Sequence, residues 1–194
     1  MSQRIANTLT AAVYVDSTTN TEADASNAAE NVSNSINNSD CSSTFVGKGG
    51  NIPDGIGSFQ DEIVISEDFR ITDVSVTLKD IVHTWVGDLS VRLRHLETNT
   101  VVDLFQRPGQ PQFSSSGYCN DLKGDYSFSD CSNSNFEHTA GTHPVIPSGV
   151  YASLQSLSVF NGMSGSGTWQ LIIKDSSAGD SGCLSGWSLN FERE

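Results

Sequence analysis

The sequence is short of positive charge and has no long apolar run. Lys and Arg number 10 against 23 Asp and Glu, a formal net charge of −13. A phosphate-binding surface needs clustered Lys and Arg. Here they are scattered along the chain, which argues against nucleic acid and against acidic lipid surfaces as partners. No apolar stretch is long enough to span a bilayer, so no membrane segment is expected. The HExxH pattern of zinc proteases is absent. Met1 to Ile5 show neither the charged start nor the apolar run of a signal peptide, so the chain as written is expected to carry no export address. What remains is the charge of a soluble extracellular protein, or of one that holds divalent cations with carboxylates.

Cysteine is also scarce, and no CxxC spacing occurs. A zinc ribbon and a thioredoxin-like site are therefore not expected. Cys41, Cys119, Cys131 and Cys183 make an even count that allows three pairings. Cys119 and Cys131 flank one polar loop and are the expected pair. Cys41 with Cys183 would then tie the start of the domain to its last strands. Such bonds imply an oxidising compartment. Together with the missing leader, this predicts a fragment of a longer secreted precursor. The alternative is four free thiols in a cytosolic protein.

The 194 residues suit one domain plus an extra segment. Ile5, Leu9 and Val13 recur at helical spacing and predict a short helix over 2–15. Residues 16–44 are mostly Ser, Thr, Asn, Ala and acid, with little to bury, and read as a linker or loose tail. From residue 45 the period changes to two. Val74, Val76 and Leu78 share a face, as do Leu89, Val91 and Leu93. "TVVDLF" and "GVYASLQSLSVF" follow, then Trp169, Leu171 and Ile173, then Trp187, Leu189 and Phe191. Turn residues separate these runs. The pattern predicts an all-β fold over 45–194, a jelly-roll-like β-sandwich of two antiparallel sheets. Residues 106–149 read as a long polar loop.

Gly179-Asp180-Ser181-Gly182 has the letters that surround a chymotrypsin-type nucleophile. A nucleophilic serine needs a histidine base, an orienting carboxylate and an oxyanion hole. His83, Asp103 and Ser181 stand in the chymotrypsin order, but only 13 residues follow Ser181. A two-barrel protease needs its specificity pocket and closing strands after that point. A tight acidic turn between the two Trp-containing strands is the better reading, and no catalytic residue is assigned.

Set in its context, that turn resembles the P domain, or P/Homo B domain, of proprotein convertases and bacterial secreted proteases. One block carries Ile81 to Thr84 and Gly87-Asp88-Leu89. A second carries Phe160-Asn161-Gly162, Gly167 to Leu171, Asp175, Gly179 to Leu184, and Trp187 to Phe191. The resemblance covers residues 45–193. The chain departs from it at Glu97 to Thr100, where Ser-Pro-x-Gly is usual, at the middle-loop cysteines, and at Cys183, where Thr or Ser is common. The resemblance implies a non-catalytic accessory domain. Its partner would be an upstream protease catalytic domain in the same secreted precursor, whose folding, stability and calcium response it supports. It also implies a structural hydrogen-bonding role for His83. The alternative function is a binding module that anchors the protease to an insoluble protein or polysaccharide, with Trp85 and the 106–149 loop as its surface.

Calcium takes six to eight oxygen ligands. Asp80 and Asp88 flank one loop, Asp175 and Asp180 another, and both loops join strands expected to be neighbours. These four are the candidate calcium ligands, against the alternative of solvated turn acids capping backbone amides. Asp121, Asp125 and Asp130 lack EF-hand spacing. His138 and His143 lack a third ligand at zinc spacing. Trp169 and Trp187 follow strand alternation and are expected in the core.

Overall fold

Strand alternation buries one face of nearly every run. A computed structural model of the chain describes residues 42–194. The helix expected over 2–15 and the tract from 16 to Cys41 lie outside the described residues. Strands β1 (Ser42–Ile52), β2 (Phe59–Ile65), β3 (Ile71–His83), β4 (Leu89–His95) and β5 (Thr100–Gln106) come first. They are followed by β6 (Asp121–Phe128), helix α1 (Phe136–Thr142), β7 (Val145–Ile146), β8 (Gly149–Tyr151), β9 (Gly167–Asp175) and β10 (Gly182–Arg193). The first strand thus begins three residues ahead of the expected boundary at 45.

One sheet has the order β1-β10-β3-β6-β7, with β8 also paired to β6, and the other the order β2-β9-β4-β5. The chain passes between the two from β1 to β2 to β3 and again from β9 to β10, which gives the jelly-roll-like sandwich. The long pairings are antiparallel, but β7 and β8 each add to β6 in parallel, so the larger sheet is mixed. Val74, Val76 and Leu78 face Leu89, Val91, Leu93, Leu171 and Ile173 across a fully buried core. Each such side chain contributes about 1.5–3 kcal/mol by leaving water.

Trp169 and Trp187 are fully buried, as their alternation requires. Trp169 stacks edge-on to Phe160 and Phe191 at 4.9 and 5.2 Å between ring centroids. Its indole N–H donates to the Gly165 carbonyl at 3.0 Å. The Trp187 indole N–H crosses between sheets and donates to Asp61 Oδ2 on β2 at 2.8 Å. The same oxygen accepts the Lys48 N–H at 2.7 Å. Gly47 lies opposite Trp187 in the register. Any Cβ there would collide with the indole, so β1 can close over the tryptophan only with glycine at this position.

Three expectations are corrected. The 149–160 run is not one strand: β8 has three residues, and Leu157–Phe160 forms a 3-10 turn. Residues three apart eclipse in that geometry, so Leu157 and Phe160 both reach the core, whereas a strand would set residues three apart on opposite faces. The 106–149 region is not one loop, because it contains β6 and α1. Helix α1 is capped by Asn135, whose side-chain oxygen accepts the His138 N–H at 2.9 Å.

The third correction concerns the cysteines. Cys119, Cys131 and Cys183 are free and exposed. Cys119 precedes β6 and Cys131 follows it. At about 3.3 Å per residue, the eight-residue strand sets them roughly 20 Å or more apart. A disulfide needs Cα atoms within about 7 Å, so β6 itself forbids the bond. Cys41 lies outside the described residues. Cys183 pairs with Asn51 in the β1–β10 register.

Replacing Asp61 by Ala would leave a fully buried indole N–H without its acceptor. The expected loss is about 1–3 kcal/mol, read as a lower midpoint in urea at unchanged slope. An unchanged midpoint would show that this bond does not hold the sheets together.

Candidate functional site

Because β3 pairs with β10 and β4 with β9, the β3–β4 and β9–β10 connections meet at one end of the sandwich. His83 stands opposite Gly182, and Leu89 opposite Asp175. His83 and Asp175 have no exposed side-chain surface, and His83 Nε2 lies 3.1 Å from Asp175 Oδ2. The other ring nitrogen, Nδ1, accepts the Trp85 N–H at 3.1 Å. The ring proton is therefore on Nε2, which donates to the carboxylate. Asp175 Oδ1 accepts the Ser177 N–H at 3.1 Å. A carboxylate buried this completely is tolerable only when its oxygens find donors, and here both do. Gly182 makes room for the ring: a Cβ there would lie 2.6 Å from His83 Cδ2.

Around this pair the two connections are laced together. The Ser176 N–H donates to the Asp88 carbonyl at 2.9 Å. The buried Asp88 carboxylate receives Arg107 at 3.4 Å, and Arg107 Nε donates to the Gly87 carbonyl at 3.2 Å. Thr84 Oγ1 donates to Asp180 Oδ1 at 2.6 Å. The Gly179 N–H donates to Asp54 Oδ1 at 3.0 Å. The half-buried Trp85 gives its indole N–H to the Ser116 carbonyl at 2.9 Å.

This arrangement positions loops and leaves no base for a serine. Both His83 nitrogens are engaged, so neither is available to Ser181, although Ser181 adjoins Gly182. Asp103, the third member of the sequence-ordered triple, lies on β5 in an ion pair with Arg92. The triple is not assembled.

The four candidate calcium ligands divide. Asp88, Asp175 and Asp180 belong to the connections that meet, whereas Asp80 joins a separate surface group. There its N–H donates to Asp125 Oδ1 at 2.8 Å and its carboxylate accepts from Ser185 at 2.9 Å. The other three carboxylates already accept from Arg107, His83 with Ser177, and Thr84. Among the described residues, no three His, Cys, Asp or Glu side chains form a group that could hold a metal ion. As arranged, the set does not fit calcium's need for six to eight oxygens.

Asp121, Asp125 and Asp130 are likewise apart in role. The Asp80 N–H, and then the Lys79 ammonium at 3.0 Å, hold Asp125 below the usual carboxylate range. Burial raises Asp130, but the Ser156 hydroxyl and the N–H groups of Leu157 and Ser158 outweigh it and leave that carboxyl lowered. Asp130 thus caps the 3-10 turn. His138 lies in α1 and His143 caps its end, both exposed. Arg107 and Asp54 carry no sequence signal for their roles beyond the turn residues beside them.

The family model for the proprotein convertase P-domain matches residues 71–191, more than half of the chain. None of the curated proteins matches. Among solved structures, the chain is similar to the serine protease of Aeromonas sobria in complex with a chaperone, at 15% identity and a TM-score of 0.46. It is similar to the same organism's serine protease alone at 14% and 0.44. Each alignment covers 79% of this chain and 27% of the other, so the chain spans about a quarter of their length.

Replacing His83 by Ala would leave Asp175 buried without its main donor. A loss of about 3 kcal/mol or more is expected, as for a buried charged group left without its donor. Asp175→Asn, which keeps a polar group beside Nε2, should cost less. Urea melts that rank the two in the opposite order would refute this account of the pair.

Proposed function

The chain belongs to the proprotein convertase P-domain family, and from that premise we propose that it is the non-catalytic accessory domain of a secreted protease. It supports the folding and stability of an upstream catalytic domain in the same precursor. The observation that carries this reading is the extent of the family match. Residues 71–191 run from the start of β3 nearly to the end of β10. They include the His83–Asp175 end and most of the buried core. The family makes the chain a protease-associated domain; support of folding and stability is the finer step. A domain that binds only the folded catalytic unit stabilises it by mass action, and tethering in one chain raises the effective concentration. Secretion is part of the same proposal. Among the described residues, no helix is long and apolar enough to cross a membrane. Anchoring through Trp85 gains no support, because its indole is turned to Ser116.

The test is the full precursor with and without residues 42–194. Deletion is expected to lower the yield of active protease and shorten its half-life several-fold, as losses of one or two kcal/mol do. Equal yield and half-life would overturn the reading.

Calcium can be tested on the chain itself. With the four carboxylates committed to protein donors, chelator is expected to leave the melting temperature unchanged. A rise on adding calcium would show ligand-dependent stabilisation and would require the loops to rearrange around the ion.

A further inference from the structure

Positive charge is scattered in the sequence but not in space. On the outer face of the β2-β9-β4-β5 sheet, a cavity of about 460 Å³ is lined by Arg92, Arg107 and Lys174, with Ser58, Ser90 and Ser176 between them. Three of the chain's ten Lys and Arg side chains therefore meet at one notch in a protein of net charge −13. Pairing explains why they meet. Ser90 lies opposite Lys174 on β9 and opposite Gln106 on β5. Arg92 is two residues further along β4, on the same face. Arg107 follows Gln106, and its N–H donates to the Leu89 carbonyl at 2.7 Å. Its φ of 40° is unusual for a residue with a side chain.

The notch is only partly neutralised. Arg92 pairs with Asp103 through Nε, and Arg107 reaches Asp88. Each guanidinium has five N–H donors, so both keep donors free. The Lys174 side chain is exposed and forms no ion pair or hydrogen bond among the described residues. Three cations against two carboxylates leave one positive charge uncompensated. One carboxylate, with two oxygens for guanidinium and hydroxyl donors, balances it; a phosphate dianion would overshoot.

We propose that this notch is a docking site for a carboxylate side chain on an acidic segment of a partner polypeptide. Arg92, Arg107 and Lys174 supply the charge, and the three serine hydroxyls supply neutral donors. The proposal is independent of the accessory role.

The experiment titrates the purified chain at low ionic strength with a hexaglutamate peptide and, in a separate arm, with inorganic phosphate. The peptide is expected to bind and to weaken with added salt. Lys174→Glu should weaken it by about tenfold or more. Lys123→Glu makes the same change of net charge at an exposed lysine on β6, in the other sheet, and should stay within about twofold. Both variants replace exposed residues, and an unchanged melting temperature confirms that they fold. Absence of peptide binding, equal weakening by the two variants, or binding of phosphate in preference to the peptide would each overturn the proposal.

Discussion

A histidine ring with no exposed surface donates to a carboxylate with none, and the two belong to different sheets. His83 ends β3 and Asp175 ends β9. Where these strands stop, the chain must turn, and turning exposes backbone groups that need partners. The pair places the two turns against each other. Asp88 then gives its carbonyl to Ser176, Asp180 accepts from Thr84, and Gly179 donates to Asp54. In such a network every member depends on its neighbours being satisfied. Bringing the strand ends together also puts Arg107 beside Asp88, and with it one wall of the basic notch. The Trp187–Asp61 bond makes a second link between the sheets, from β10 to β2.

The sandwich was legible because burial on one face imposes a period of two on the side chains. Val74, Val76 and Leu78 announce β3, and Trp169, Leu171 and Ile173 announce β9. Strand β6 was missed although it obeys the same rule. Leu122, Tyr126 and Phe128 face inward at that period. The expected apolar residue at 124 is glycine, with φ 142°, and Asp121, Lys123 and Asp125 fill the outer positions. Reading the segment as polar loop hid the strand, and the misplaced Cys119–Cys131 bond followed directly. A disulfide inferred from a shared loop holds only if the loop is one.

The site was legible in its residues more than in its geometry. Turn acids in two connections whose strands pair are bound to come near each other, and Asp88, Asp175 and Asp180 do. Asp80 has φ 45°, beside a register shift between Leu78 and Ile81. Its amide is aimed at Asp125, a residue of the unrecognised β6. Nothing in a single sequence marks that irregularity. Spacing identified the acids but not their donors, and the donors decide whether a carboxylate is a metal ligand or part of the scaffold.

Occupancy of both ring nitrogens also separates this histidine from a catalytic one. A general base needs a lone pair aimed at the proton it will take. To free Nδ1, the Trp85 N–H would have to leave it, and to free Nε2 a buried carboxylate would lose its donor. Either change would disturb the turns that the pair fixes, so His83 can hold the loops or move a proton, but not both in this geometry. The packing at Gly182 makes the same choice, since the ring fills the space that a side chain would take. His83 therefore serves this end of the sandwich as the donor and acceptor that fix the two turns.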